Sequence, residues 1–109
     1  MTDYAHTLAL INLSFSSYLR RRIMELNGEW PDVSELYSTL SRIFTEQFPR
    51  ITIRTDAALK LFAARIDDNL EKYVAMNPEY DIITFLDYAE KYVRGEIRQA
   101  HRWASIHYD

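Results

Sequence analysis

The chain contains no cysteine among its 109 residues. This absence excludes disulfide bonds, thiolate metal ligands and cysteine nucleophiles, and it is consistent with a reducing compartment. Only two glycines and three prolines occur, which excludes glycine-rich phosphate loops and argues against long flexible linkers. We therefore expect one domain that spans residues 1–109.

Long apolar runs are also absent. No stretch has the roughly 18 apolar residues that a membrane span needs, and no basic region precedes the first apolar run as it does in secretory signals. We therefore expect a cytoplasmic protein without a membrane partner. The net charge of −3 disfavours nucleic acid as a partner of the whole domain, although it leaves room for a local basic patch.

Apolar residues recur at steps of three and four through four successive segments, which is the period of amphipathic helices. The sequence therefore predicts an all-α fold, a compact bundle of four amphipathic helices with short connections. The helices are predicted at about residues 3–27, 33–48, 56–76 and 79–107, with a short extended link at 50–54. Residues 7–16 also alternate as a half-buried strand does, but the longer helical period favours a helix.

Polar residues and glycine supply start and stop signals for these helices. Gly28 is placed to end the first helix. Asp32 and Glu35 form the pattern of a capping box, in which Asp32 accepts from the backbone and Glu35 reaches back to it. Asn77 or Asp81 is expected to cap the fourth helix.

The last helix carries three stripes of side chains. The first is the predicted core seam, with steps of three and four along Ile82, Leu86, Ala89, Val93, Ile97, Ala100 and Ala104. The second is aromatic and is the predicted interface: Phe85, Tyr88, Tyr92 and Trp103. The third is a basic face: Lys91, Arg94, Arg98 and Arg102. The first two stripes cover more than the usual apolar arc, so either this helix lies centrally or its aromatic stripe meets another chain. Gly95 marks either a kink or a close helix contact.

Two smaller groups of charged residues give weaker indications of function. Asp67 and Glu71 share a helix face, and their oxygens suit Mg²⁺ or Ca²⁺, but no histidine or second helix converges on them. We therefore predict neither a metal site nor a cofactor. The run Arg20–Arg22 is interpreted as a solvated cluster near the end of a helix.

Arg102 and His107 are separated by four residues late in the last helix. This arrangement resembles the signature of the HEPN ribonucleases. The resemblance implies metal-independent RNA cleavage at a dimer interface, with Arg102 stabilising phosphate charge and His107 acting as general acid or base. The chain departs from the family pattern at Trp103, where a polar residue is usual, and at Tyr108, which follows the histidine directly.

No protease, nucleotide-loop, dinucleotide or zinc-hydrolase motif is present. We therefore predict a non-enzymatic protein-binding module, such as a regulator, adaptor or inhibitor, that forms a homodimer through its C-terminal helix. The alternatives are a HEPN-like ribonuclease that uses Arg102 and His107, and nucleic-acid binding through the basic face.

Overall fold

The computed structural model describes the backbone of residues 4–50 and 52–107 and the side chains of residues 6–50 and 52–99. The helices are α1 (Tyr4–Glu25), α2 (Val33–Gln47), α3 (Ile53–Met76) and α4 (Ile82–His107). No strand occurs in the described residues, and residues 7–16 are helical. The predicted all-α bundle of four helices is confirmed.

The four helices form a ring in which each contacts only its two neighbours within the described chain. Neighbouring helices are antiparallel, as the contacts between Arg20 and Glu90 and between Gly28 and Tyr80 show for α1 and α4. The bundle measures 46 × 22 × 20 Å. We call the end with the connections 26–32 and 77–81 the turn pole, and the end with residues 48–52 the link pole.

One core runs along the axis of the ring, and every helix contributes to it. Its apolar side chains are spaced at three and four residues, so each helix turns one stripe inward. The buried core comprises Leu8, Ile11, Phe15, Tyr18, Leu19, Ile23, Leu36, Leu40, Ile43, Phe44, Leu59, Phe62, Ala63, Ile66, Leu70, Phe85, Leu86, Ala89, Val93 and Ile97. In α4 the predicted seam is therefore confirmed from Leu86 to Ile97, while Ile82 is partly buried.

The start of α2 follows the predicted capping pattern only in part. The Asp32 side chain accepts from the backbone N–H of Glu35 at 2.8 Å, as a helix cap does. The Glu35 side chain does not reach back. It accepts instead from Tyr18 and from both Arg22 Nε and Nη2, because α1 brings a charged and a phenolic donor within reach.

The predicted extended link at 50–54 is too long, because α3 begins at Ile53. Thr52 is extended and its hydroxyl accepts from the N–H of Thr55, which satisfies one free donor of the first turn. This cap outweighs the strand preference of the β-branched residues around it. The Ile53 side chain is consequently 89% exposed and packs on no sheet.

At the other end of α3, Asn77 ends the helix and donates its backbone N–H to Tyr73 and Val74. Asp81 then accepts from the N–H of Thr84 at 2.7 Å. Of the two predicted caps, Asp81 is therefore the one that starts α4, which begins at Ile82 and not near residue 79.

The end of α1 is a Schellman motif. The N–H of Gly28 donates to the carbonyl of Ile23 and the N–H of Asn27 to that of Met24, which are the two bonds that define this motif. Asn27 and Gly28 have φ of 57° and 94°. Gly28 also lies against Ile82, so the predicted stop for α1 is confirmed and is in addition a close contact with α4.

Candidate protein-binding surface

The first residue of the aromatic stripe of α4 does not lie on the outer surface of the bundle. Phe85 is 0% exposed, and its ring lies 5.9 Å from Trp30 and 5.1 Å from Tyr80. Trp30 belongs to the connection between α1 and α2, which folds over α4 and buries this position. Phe85 is therefore a core residue and does not belong to the predicted interface.

Tyr88 and Tyr92 are half-buried and face α3. Tyr88 stacks on Tyr73 with ring centroids 4.1 Å apart, and its hydroxyl accepts a hydrogen bond from Asn69. The Tyr92 hydroxyl donates to the carbonyl of Arg65 at 3.2 Å, and burial raises the pKa of Tyr92. The described part of the aromatic stripe, Phe85, Tyr88 and Tyr92, thus packs within the chain, which fits a helix that contacts two neighbours. The Trp103 side chain lies outside the described residues.

The predicted basic face of α4 lies on the outside of the bundle. Lys91 pairs with Asp87 at 3.1 Å on the same helix. Arg94 and Arg98 are exposed, and neither has an ion pair among the described side chains. Arg102 lies outside the described side chains. Among the described side chains, the part of this face without an ion pair is therefore Arg94 and Arg98.

The Arg20–Arg22 run is solvated at Arg20 and Arg21, as predicted, but Arg20 and Arg22 also bridge helices. Arg20 binds Glu90 of α4 at 2.7 Å. Arg22 binds Glu35 of α2 with two nitrogens at 2.8 and 3.0 Å. The hydrogen bonds from Arg22 and Tyr18 hold the pKa of the Glu35 carboxyl below its ordinary value.

The acidic pair in α3 has a structural contact. Asp67 Oδ1 accepts from the indole nitrogen of Trp30 at 2.9 Å, which fixes the connection over α4. Glu71 is exposed. No group of three or more histidine or acidic side chains that suits a metal ion occurs in the described part of the chain.

The two residues that resemble the HEPN signature lie on the last turns of α4. The helix includes Arg102 and His107, but their side chains lie outside the described residues. The ribonuclease alternative therefore stays a prediction. No helix in the described part of the chain combines the length and apolar character that crossing a membrane requires.

The most distinctive outer surface belongs to α1. Residues 4–19 contain no Asp, Glu, Lys or Arg, whereas no other segment of the chain is charge-free for more than six residues. The exposed face of this segment includes two large apolar side chains, Leu10 at 40% and Leu13 at 63% exposure. We call its exposed residues the α1 surface: His6, Ala9, Leu10, Leu13, Ser14 and Ser17.

The free arginines of α4 lie beside this surface. Because α1 and α4 are antiparallel and Arg20 lies level with Glu90, each step back along α1 matches a step forward along α4. Ser16 is therefore level with Arg94. One turn further towards the link pole, α1 is level with Arg98. The α1 surface is consequently apolar at its centre and cationic along the edge that α4 forms.

The α1 surface was not predicted from the sequence, because it is neither a long apolar stripe nor a group of reactive residues. The sequence does contain a signal for this surface, namely the charge-free run. On a solvated helix face, charged residues would ordinarily interrupt such a run. Comparison of the chain with protein-family models, curated proteins and solved structures gave no match. Function therefore has to be argued from the surface itself.

Proposed function

We propose that this domain is a non-enzymatic module that binds another protein through the α1 surface. The observation that carries the proposal is the charge-free face of α1 with Leu10 and Leu13 exposed. An outward helix face normally carries charges that keep it solvated. A face without them, rimmed by polar groups, is typical of a protein contact.

The exposed fractions of the two leucines set the scale of the apolar contribution to binding. Full burial of a leucine is worth about 1.5–3 kcal/mol. Leu10 and Leu13 are 40% and 63% exposed, so covering both contributes on the order of 2 kcal/mol. Placing a charge at the centre of such a contact adds a desolvation cost. We therefore expect Leu13→Glu to weaken binding by at least about tenfold.

The proposal is tested by placing a photo-crosslinking amino acid at Leu13 in cells that naturally make the protein. The matched control is Leu61, which is 51% exposed on the outer face of α3. We expect discrete protein adducts from position 13 and none from position 61. Equal labelling at both positions, or no adduct at either, would remove the α1 surface as the contact.

Self-association through α4 remains a separate prediction. Tyr88 and Tyr92 are already packed on α3, and the large apolar side chain that stays exposed among the described residues of α4 is Ile83, at 80%. Light scattering over a concentration series decides the matter. A monomer mass throughout ends the homodimer proposal, whereas a dimer that Leu13→Glu leaves intact would place the contact on a helix other than α1.

Nucleic-acid binding is a second candidate, because Arg94 and Arg98 are exposed and have no ion pair with a described side chain. Phosphate contacts make binding strongly salt-dependent. This candidate predicts RNA or DNA binding at low salt that Arg94→Ala and Arg98→Ala weaken and that Leu13→Glu does not change. Absence of binding at low salt would exclude it.

A further inference from the structure

We propose that the partner of the α1 surface is an amphipathic helix that carries acidic residues beside its apolar stripe. This inference rests on the proposed function and names the chemistry of the partner. It is carried by two observations that lie side by side: the apolar α1 surface, and the arginines of α4 that have no ion pair within the described chain.

The pairing of charges singles out these arginines. Each helix has cations that are matched to an acid on the same or a neighbouring helix, such as Arg20 with Glu90 and Lys91 with Asp87. Among the described side chains the cations without an ion pair are Arg50, Arg54, Arg65, Arg94 and Arg98. Two of these five border the α1 surface, and both lie on the single edge that α4 forms.

Among the described side chains, no unpaired acid next to Arg94 and Arg98 offsets their positive charge. The charge-free run leaves α1 without a carboxylate there. On α4, Glu90 is held by Arg20, and Glu96 turns an oxygen into the protein, where it is covered and has no hydrogen-bond partner. The edge therefore presents two guanidinium groups to an incoming ligand. Guanidinium groups bind carboxylates with paired hydrogen bonds.

The spacing of these side chains suits a helical ligand. Leu10 and Leu13 are one turn apart on α1, and Arg94 and Arg98 are one turn apart on α4. A ligand helix along the α1–α4 seam would meet the leucines with one stripe and the arginines with the adjacent stripe. Amphipathic helices that bind other proteins carry their apolar anchors at such spacings, for example i, i+3 and i+7.

A polyanion such as a nucleic acid would contact the arginines of this surface but not its leucines. A phosphate backbone would engage Arg94 and Arg98 but would leave Leu10 and Leu13 uncovered. An anionic bilayer would engage both kinds of residue. It is therefore the occupant that the experiment has to separate from a protein helix.

The test is selection from a displayed library of helical peptides. Each peptide carries leucines at i, i+3 and i+7, and the flanking positions are drawn equally from Asp/Glu, Lys/Arg and Ser/Asn. Peptides are selected on the intact protein and counter-selected on the Leu13→Glu variant, whose folding is checked by circular dichroism. We expect acidic flanks to be enriched, and the best peptides to lose at least tenfold in affinity with Leu13→Glu but not with Leu61→Glu.

A charge reversal makes the test specific. In the double variant Arg94→Glu/Arg98→Glu, we expect acidic peptides to lose at least tenfold in affinity and basic-flanked peptides to gain. Enrichment without preference for acidic flanks would overturn the inference, as would equal effects of Leu13→Glu and Leu61→Glu. Binding to phosphatidylserine vesicles that is lost in both Leu13→Glu and the double variant, with no peptide enriched, would also overturn it in favour of a bilayer.

Failure here is distinguishable from failure of the proposed function. Protein adducts from position 13 without an acidic preference would leave the module intact and reject only the partner chemistry. Absence of adducts from position 13 would reject the module itself.

Discussion

The two glycines of the chain should respond to the same substitution in opposite directions. Gly28 has a φ of 94°, and a Cβ at this position would lie 3.3 Å from Ile82 Cγ1. Gly95 lies in the interior of α4, and a Cβ there would meet nothing within 4 Å. Gly28→Ala therefore adds backbone strain and crowding, whereas Gly95→Ala adds helix preference without a clash.

The magnitudes are large enough to separate the two variants. A backbone conformation that L residues avoid costs about 1–3 kcal/mol, so Gly28→Ala should lower the free energy of unfolding by this amount. Alanine is favoured over glycine in a helix interior by about 1 kcal/mol, and Gly95→Ala should raise the free energy of unfolding accordingly. The two variants should then differ by about 2–4 kcal/mol.

Urea denaturation followed by circular dichroism measures both changes. We expect the midpoint to fall for Gly28→Ala and to rise for Gly95→Ala, with the same dependence on denaturant as the parent protein. A Gly28→Ala variant as stable as the parent would refute the left-handed turn at the end of α1. Destabilisation by Gly95→Ala would refute the open environment of Gly95 and would indicate a close helix contact at this position.

Three further substitutions and one assay test other parts of the account. Phe85→Ala should lower the free energy of unfolding by about 3–5 kcal/mol because the ring is fully buried. A loss under 1 kcal/mol in urea denaturation would contradict the burial of this ring. Thr52→Ala should cost about 1 kcal/mol through loss of the α3 cap, and an unchanged midpoint would remove that cap. The pKa of the Glu35 carboxyl is lowered on folding, so its stabilisation is present above its ordinary value of 4.5 and is lost as the pH falls through the lower folded value. Glu35→Gln should therefore flatten the acid limb of stability against pH, and an unchanged limb would contradict the Arg22 contact. Purified protein should leave RNA intact, whereas metal-independent cleavage that Arg102→Ala and His107→Ala abolish would establish the HEPN-like ribonuclease instead.

The fold was accessible from the sequence because its information is local. Apolar residues at steps of three and four define each inward stripe, and the short polar segments between them carry their own caps, as Asp32 shows. The start of α3 was harder to predict. Ile53 favours a strand by its branching, whereas Thr52 caps a helix at this point: its hydroxyl accepts from the N–H of Thr55 and its carbonyl from that of Asp56.

The roles of individual charged and aromatic residues were not accessible in this way, because they depend on contacts between distant segments. Phe85 is buried by Trp30, which lies 55 positions earlier in a connection without periodic pattern. Glu35 has the sequence context of a capping residue, but Arg22 on the preceding helix captures it. Asp67 has the chemistry of a metal ligand, but in the structure its carboxylate accepts a hydrogen bond from the indole of a tryptophan.

The candidate surface differs from both cases. Its leucines lie on one helix, within the charge-free run, and this run can be recognised in the sequence. Its cationic edge comes from α4 and becomes apparent only when the antiparallel register of the two helices is known. The apolar half of the site is therefore local information, and the electrostatic half is tertiary.

The most direct test of a protein-binding role is photo-crosslinking in the native cell from position 13 against position 61. Both leucines are more than half exposed on outward helix faces, so chance encounters label them alike. We expect discrete protein adducts from position 13 alone, and we expect them to be lost when Leu10→Glu is added to the same chain. Adducts of equal yield from both positions, or adducts that Leu10→Glu leaves unchanged, would contradict the claim that α1 is the binding surface.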